Sequence, residues 1–183
     1  MSTDRQKSFI ATIGIQTDLV HFLDVVNGAP ATVTSPLFSG GHFSGKPQSR
    51  NDSHLLGIRP EPRLTLYFRH TEQGYRLYIR TPGPYYGKCL SLDKNGILGA
   101  FDPEGSNVYQ LIGKQGIPLS IDNHQSNKLE AYLKVSGSPG LLHTHKLHDS
   151  TFTYFADKGG RPFKFRFTIL ERNASYIDRP DEI

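Results

Sequence analysis

The sequence lacks several features that identify common classes of protein. Its 183 residues include a single cysteine, Cys89, which excludes an intramolecular disulfide and a cysteine-based zinc cluster. The first residues are polar, and no run approaches the ~18 apolar residues of a membrane span. We therefore expect no export signal and no membrane span, and we predict a soluble, cytoplasmic protein.

Clustered positive charge and catalytic motifs are also missing. Lys and Arg number 21 against 17 Asp and Glu, a formal net charge of +4, and the basic residues are scattered. A nucleic-acid partner is therefore not indicated. The chain has no Gly-rich phosphate loop, no Gly-x-Ser-x-Gly elbow and no His-Glu-x-x-His motif. Cys89 lies in an alternating segment, where we expect a buried residue rather than a nucleophile. We predict a protein that is not an enzyme and that needs no cofactor.

The pattern that is present is a strict alternation of apolar and polar residues in short segments. It occurs at residues 75–81, 88–93, 128–135 and 163–169. Such alternation is typical of half-buried strands, and Gly, Asn, Asp and Pro interrupt it at short intervals. The sequence thus predicts an all-β fold with little helix.

Three similar segments begin at Leu64, Val108 and Phe152, each 44 residues after the last. Each is predicted to form a hairpin around a glycine, namely Gly74, Gly116 and Gly160. Further hairpins are predicted at 20–33, 88–101 and 131–145. These predictions describe four strands repeated three times, with a long Gly/Ser/Pro-rich insertion at 36–62 in the first repeat, expected to be a surface loop. Counting 10–15 and 163–169 as strands gives thirteen candidates, one more than this scheme uses.

The segment GKCLSLDKNGILGAFDPEGSNVYQLI at 87–112 resembles a unit of the β-trefoil superfamily, of the fascin-like or ricin B-like lectin type. The resemblance covers residues 9–170, and it implies a single β-trefoil domain between a flexible N-terminus at 1–8 and a polar tail at 171–183. Tryptophan is absent, so the Gln-x-Trp motif of ricin B-type lectins is missing. A β-sandwich is the rival fold.

Alternate apolar residues of the strands are predicted to fill the core of this domain. We expect these residues to contribute to the fold and not to ligand binding. They are Leu23, Val25, Leu66, Phe68, Leu77, Ile79, Leu90, Leu92, Leu111, Leu119, Ile121, Leu133, Val135, Phe165 and Phe167.

The segment HFLDVVNG at 21–28 resembles the Leu-Asp-Val sequence that supplies a sugar-binding aspartate in ricin B-type lectins. The resemblance implies a shallow site in which a carboxylate accepts hydrogen bonds from sugar hydroxyls beside an aromatic ring. The alternative is that the aspartate bonds its own backbone and stabilises a turn. The candidate ligand-binding residues are Asp24, Asn27, Phe38, His42 and Phe43.

The leading prediction is therefore a carbohydrate- or glycoprotein-binding lectin, and two alternatives remain. A trefoil-type protease inhibitor would present an exposed loop to a protease, with Lys46 and Arg50 as candidate residues. A cytokine-like or cytoskeletal protein-binding trefoil is the third. The histidines His143, His145 and His148 could chelate a metal, but an ordinary strand face is favoured and no metal site is predicted.

Overall fold

A computed structural model of the chain describes residues 2–15, 19–35, 38–39, 42–43, 48–59, 63–158, 161–175 and 177. Within these residues the structure is all-β, which confirms the fold class predicted from the alternating pattern. The α-helices described are short, α1 (Asp4–Lys7) and α2 (Leu23–Asn27), and a turn of 3-10 helix covers Ile121–Asn123. None of these helices is long and apolar enough to cross a membrane.

Strands account for most of the described secondary structure, and they are short because Gly, Pro, Asn and Asp interrupt the apolar alternation. In chain order they are β1 (Phe9–Gly14), β2 (Leu19–Phe22), β3 (Thr32–Ser35), β4 (Phe38–Ser39), β5 (His42–Phe43), β6 (Gln48–Asn51), β7 (Leu56–Arg59), β8 (Leu64–Thr71), β9 (Gly74–Ile79), β10 (Cys89–Leu92), β11 (Leu98–Phe101), β12 (Tyr109–Ile112), β13 (Lys128–Val135), β14 (His143–Lys146), β15 (Thr153–Ala156) and β16 (Lys164–Arg172).

Six of these strands pair in a closed ring. All pairs are antiparallel, in the order β1–β8–β9–β12–β13–β16 and back to β1. Some pairings are extensive, as between β8 and β9, and others are a single residue pair, as between Tyr75 and Tyr109. A sheet that closes on itself leaves no unpaired edge among its strands.

The interior of the ring is filled by the alternate apolar residues of its strands. Phe9 stacks on Phe68 with ring centroids 4.3 Å apart, and Phe68 meets Phe167 edge to face at 5.4 Å. All three are fully buried. Of the fifteen predicted core residues, twelve are buried. The exceptions, Val25, Leu92 and Leu119, are half-buried.

In the described residues, five antiparallel strand pairs lie outside the ring: β2 with β7, β10 with β11, β14 with β15, β3 with β6, and β4 with β5. The first three pairs, which we call the outer hairpins, are joined by isolated bridges between Leu55 and Gly99 and between Ile97 and Ala156. A Cβ on Gly99 would lie 2.9 Å from the carbonyl oxygen of His54, so this approach requires glycine. We call the joined region, residues 50–56, 93–100 and 143–158, the hairpin face.

The described part of the insertion at 36–62 is more structured than the predicted surface loop. It contains β6 and β7, and Asp52 and Leu56 within it are fully buried. β6 pairs with β3, and β7 pairs with β2. The composition of the insertion suggested a loop because its Gly and Pro residues outnumber its apolar residues, but two of its segments pair with strands that lie outside the insertion.

The predicted hairpins at 64–79 and 88–101 are confirmed as β8–β9 and β10–β11. The hairpin predicted at 20–33 is wrong, because the chain turns after β2 into α2, which ends at Gly28 with φ of 69°. In the described residues, the segment at Phe152 forms no hairpin either. Its first strand, β15, pairs with β14, and its second, β16, pairs with β13 and β1. Gly160 lies outside the described residues.

Both termini contribute to the fold beyond the predicted domain limits. In the segment 1–8, Thr3 and Gln6 form a capping box at the start of α1. In the tail 171–183, β16 extends to Arg172, and Ala174 and Ile177 are buried against an aromatic cluster that includes Tyr67. The tail, predicted to be polar, thus also contributes apolar side chains that cover the outside of the ring.

Candidate functional site

Asp24, the predicted sugar-binding residue, lies in α2 with its carboxylate already hydrogen-bonded. Oδ1 accepts from the backbone N–H of Val25 at 2.7 Å, and Oδ2 accepts from the hydroxyl of Tyr85 at 2.7 Å. The ring of Tyr85 packs on Phe22 with centroids 4.4 Å apart. Burial raises the pKa of Tyr85, and the hydrogen bond to Asp24 raises it further. Asp24 thus connects α2 to the turn that contains Tyr85.

The other residues predicted beside Asp24 are not brought to it by the described contacts. Asn27 is exposed, and its side-chain amide donates to the carbonyl of Ala29 at 3.4 Å. Phe38 and Phe43 are paired across β4 and β5, next to His42. The side chains of these three loop residues lie outside the described part of the molecule, so their role stays a prediction.

Arg50, a candidate for the inhibitory loop, is bound by two carboxylates. Its Nε and Nη2 donate to Asp52 at 2.6 and 2.9 Å, and its Nη1 donates to Asp149 at 3.2 Å. The hydrogen bonds to Asp52 raise the pKa of Arg50. The guanidinium is therefore held by the hairpin face. Lys46, its predicted companion, lies outside the described residues.

Asp52 is fully buried and has a further donor besides Arg50. The hydroxyl of Tyr154 donates to Asp52 Oδ2 at 2.6 Å, and Ser150 lies 2.6 Å from the same hydroxyl. Burial and the hydrogen bond to Asp52 raise the pKa of Tyr154 to about 12. A buried charge is tolerated where it is paired and hydrogen-bonded. This network fixes the 50–55 segment against β15.

Arg50 and Asp52 of this network also line a cavity of about 570 Å³, which we call the hairpin-face cavity. It is lined by the segments 50–55 and 93–97 and by residues of the β14–β15 hairpin as far as Lys158. Apolar side chains of Leu55, Ile97 and Leu147 line part of it, and charged and polar groups line the rest. The volume is within the range of small-molecule sites in proteins.

The β10–β11 turn projects its polar residues at this cavity. Asp93 Oδ1 accepts from the backbone N–H groups of Asn95 and Ile97, both at 2.8 Å, and Gly96 has the left-handed φ of 80°. Lys94 and Asn95 are consequently exposed at the tip of a tightly bonded turn. The hairpin predicted at 88–101 requires a turn here, but the sequence did not predict that the tip of the turn lies over a cavity.

Two histidines line the same cavity. His54 is half-buried and meets the ring of Phe101 edge to face at 5.3 Å. Burial lowers the pKa of His54, although the carboxylates of Asp52 and Asp93 oppose the shift. His54 is therefore neutral at pH 7, with one ring nitrogen a donor and the other an acceptor. His145 is half-buried in β14.

The remaining histidines of the predicted cluster do not join His145 in a common site. His143 is buried and donates from Nδ1 to the carbonyl of Leu141 at 2.6 Å, and burial lowers its pKa. His148 is exposed. In the part of the chain that the structure describes, no group of three or more His, Cys, Asp or Glu residues is arranged to hold a metal ion.

Cys89 is fully buried, as the alternating pattern predicted, and burial raises the pKa of its thiol to about 11. The thiol is therefore protonated at neutral pH and suited to packing rather than to attack on a substrate.

No protein-family model, curated protein or solved structure matches the chain.

Proposed function

We propose that this protein is a β-trefoil that binds carbohydrate in the hairpin-face cavity and catalyses no reaction. The six-stranded ring and the three outer hairpins support the architecture, because a trefoil combines a six-stranded barrel with three hairpins. The further pairs β3–β6 and β4–β5 are formed within and beside the insertion at 36–62. The bridges at Gly99 and Ala156 support it further, since they join the three hairpins to one another at a common face.

The observation that carries the binding function is the composition of the cavity. A pyranose has apolar C–H faces and several hydroxyl groups, each of which can donate and accept. The apolar side chains of Leu55, Ile97 and Leu147 can cover a C–H face, while His54 and Asn95 offer donors and acceptors to hydroxyls. A cavity with an apolar part and a few polar groups around it is the usual form of a small-ligand site.

The pocket is held in shape before a ligand arrives. The Arg50–Asp52–Tyr154 network fixes one wall, and the hydrogen bonds of Asp93 fix the turn that forms another. A preformed site loses less conformational entropy on binding, which favours recognition of a weakly apolar ligand such as a sugar.

In this proposal Asp24 has a supporting role rather than direct contact with the sugar. Its two carboxylate oxygens receive hydrogen bonds from Val25 and Tyr85. Its backbone N–H also donates to the carbonyl of Ser53 at 3.2 Å, within the segment that leads into the cavity wall. This geometry favours the second of the two sequence-based readings, in which the aspartate stabilises local structure.

The protease-inhibitor alternative has less support among the described residues. Arg50 would need a free guanidinium to enter a protease cleft, and its donors are directed at Asp52 and Asp149. No contact in the described residues favours the cytokine-like or cytoskeletal alternative.

The binding function can be tested with a histidine pair on one hairpin. His145 lines the cavity, whereas His148, three residues later, is exposed and does not line it. A glycan array should identify a sugar bound by the parent protein. His145→Ala should weaken that binding by roughly three- to tenfold, the worth of one neutral hydrogen bond. His148→Ala should leave it unchanged.

Two results would contradict this proposal. Failure of the parent protein to bind any glycan would remove the carbohydrate function. Equal loss of affinity in both histidine variants, with thermal stability unchanged, would place the binding site outside the hairpin-face cavity.

A further inference from the structure

The hairpin-face cavity is lined both by lysine ammonium groups and by carboxylates, and the two kinds of group differ in how many partners they have. Lys94 and Lys158 line the cavity, are exposed, and form no ion pair with any residue that the structure describes. Asp52, by contrast, accepts from Arg50 and from Tyr154. Among the charged side chains that line the cavity, those of Lys94 and Lys158 are therefore the ones without a partner in the described residues.

Each lysine directly follows a carboxylate residue in the chain, Asp93 before Lys94 and Asp157 before Lys158, and of these two only Asp93 lines the cavity. Asp93 Oδ1 accepts hydrogen bonds from two backbone N–H groups of the β10–β11 turn and is therefore directed into that turn. The other oxygen is 3.4 Å from the side-chain amide of Asn95. Asp93 thus serves to close the turn that presents Lys94.

The two lysines belong to the same rim of the cavity. The Cε of Lys158 lies 3.5 Å from the position that a Cβ on Gly96 would occupy, and the carboxylate of Asp157 lies nearer still, so both side chains reach the β10–β11 turn. Lys94 stands on that same turn, two residues before Gly96. A ligand in the cavity would therefore meet ammonium groups from two different hairpins.

We propose that the hairpin-face cavity binds an acidic carbohydrate, whose sulfate or carboxylate groups are received by Lys94 and Lys158. This inference rests on the carbohydrate-binding function proposed above and specifies its ligand class. Hydrogen bonds between an ammonium group and an anionic oxygen are stronger than those to a neutral hydroxyl. The net charge of +4 on the chain also favours the approach of an anion.

An acidic sugar fits the cavity better than a nucleic acid. Proteins that bind single-stranded nucleic acid combine a basic groove with aromatic rings on which bases stack. Among the described residues that line this cavity there is no Phe, Tyr or Trp. The apolar lining comes instead from aliphatic side chains such as Leu55 and Ile97, which suit the C–H faces of a sugar.

Calorimetric titration of the full chain with matched probes tests the inference. The probes are a sulfated glycosaminoglycan oligosaccharide, a neutral oligosaccharide of the same length, inorganic sulfate and an oligothymidylate. We expect the sulfated oligosaccharide to bind at least tenfold more tightly than the neutral one, and its affinity to fall as salt is added. Inorganic sulfate should bind much more weakly than the oligosaccharide.

Variants of three lysines locate the binding. Lys94→Gln and Lys158→Gln should each weaken binding of the sulfated oligosaccharide by about tenfold, as expected for loss of a charge-assisted hydrogen bond. Lys114→Gln is the matched control, because Lys114 is exposed in a similar Gly-containing turn and does not line the cavity. It should leave the affinity unchanged. All three substitutions are on the surface, so the variants should fold.

The outcomes separate this inference from the function on which it rests. Equal binding of sulfated and neutral sugars would overturn the acidic preference and leave the carbohydrate function standing. Binding of inorganic sulfate as tightly as the oligosaccharide, or no sugar binding at all, would overturn both. Preferential binding of the oligothymidylate, or an equal effect of all three lysine substitutions, would overturn the acidic-sugar assignment in favour of a diffuse or phosphate-directed surface.

Discussion

The six-stranded ring and the hairpin face are held together by different kinds of interaction. In the ring, the side chains of Phe9, Phe68 and Phe167 pack on one another, and none of them carries a polar atom. In the hairpin face, the fully buried carboxylate of Asp52 is held by Arg50 and Tyr154. Apolar packing is non-directional and contributes most to stability, whereas a hydrogen-bonded network fixes groups in position. The ring therefore stabilises the fold, and the hairpin face shapes the cavity.

The largest effect should come from the ring. Phe68→Ala should reduce the free energy of unfolding by about 3–5 kcal/mol, because it leaves a void among fully buried aromatic rings. Denaturant unfolding measures the change. The control is Leu170→Ala, which alters a side chain that is 57% exposed, and its effect should stay within about 0.5 kcal/mol. Similar losses in both variants would contradict the assignment of stability to the ring.

The polar network should have an intermediate effect. Asp52→Asn should reduce the free energy of unfolding by about 2 kcal/mol, since it weakens charge-assisted hydrogen bonds from Arg50 and leaves buried donors poorly matched. Asp149→Asn, which affects the 3.2 Å contact with Arg50 nearer the surface, should cost less than about 1 kcal/mol. The account would be contradicted if the order of the two were reversed.

The Asp24–Tyr85 contact should have a smaller effect, confined to stability. Tyr85→Phe should reduce the free energy of unfolding by about 1 kcal/mol through loss of one hydrogen bond. Asp24→Asn should have a comparable effect, and the double variant should lose less than the sum of the two. Sugar affinity should be retained in each. A fall in sugar affinity with the thermal midpoint unchanged would instead support direct contact between Asp24 and the sugar.

The smallest effect is a dependence of stability on pH. His54 and His143 have pKa values lowered from 6.5 by burial, so the unfolded chain binds more protons than the folded one just below that pH. Stability should therefore fall as the pH falls through 6.5 towards the lowered values. Urea unfolding of His54→Gln and His143→Gln across this range should give a flatter dependence in each. An unchanged dependence in both variants would contradict the assignment.

The strands of the ring could be predicted from sequence, because alternation has the same meaning in every half-buried strand. Their partners could not be assigned in every case. The segment beginning at Phe152 has the same alternation as the one at Leu64. Its first strand, β15, nevertheless pairs with the preceding strand β14 and not with the following strand β16. Alternation states which face of a strand is buried but carries no information on its neighbour.

The candidate site was less predictable than the ring for a related reason. Tyr85 is 61 residues from Asp24, and Tyr154 is 102 residues from Asp52. Each contact joins segments that only the folded chain brings together. Asp24 and Arg50 stood out by residue type, but the hydrogen-bond partners of their side chains could not be predicted. Lys94 and Lys158 did not stand out because lysines in turns are common on protein surfaces.

The most direct test of the central claim is an NMR titration of the labelled protein with the sulfated oligosaccharide, followed through its backbone amides. We predict that the shifts concentrate on the hairpin face, at Asn95, His145 and Lys158, while amides of the ring strands change little. Shifts centred on Asn27 or Lys114, with the hairpin face unaffected, would contradict the claim that the hairpin-face cavity is the binding site.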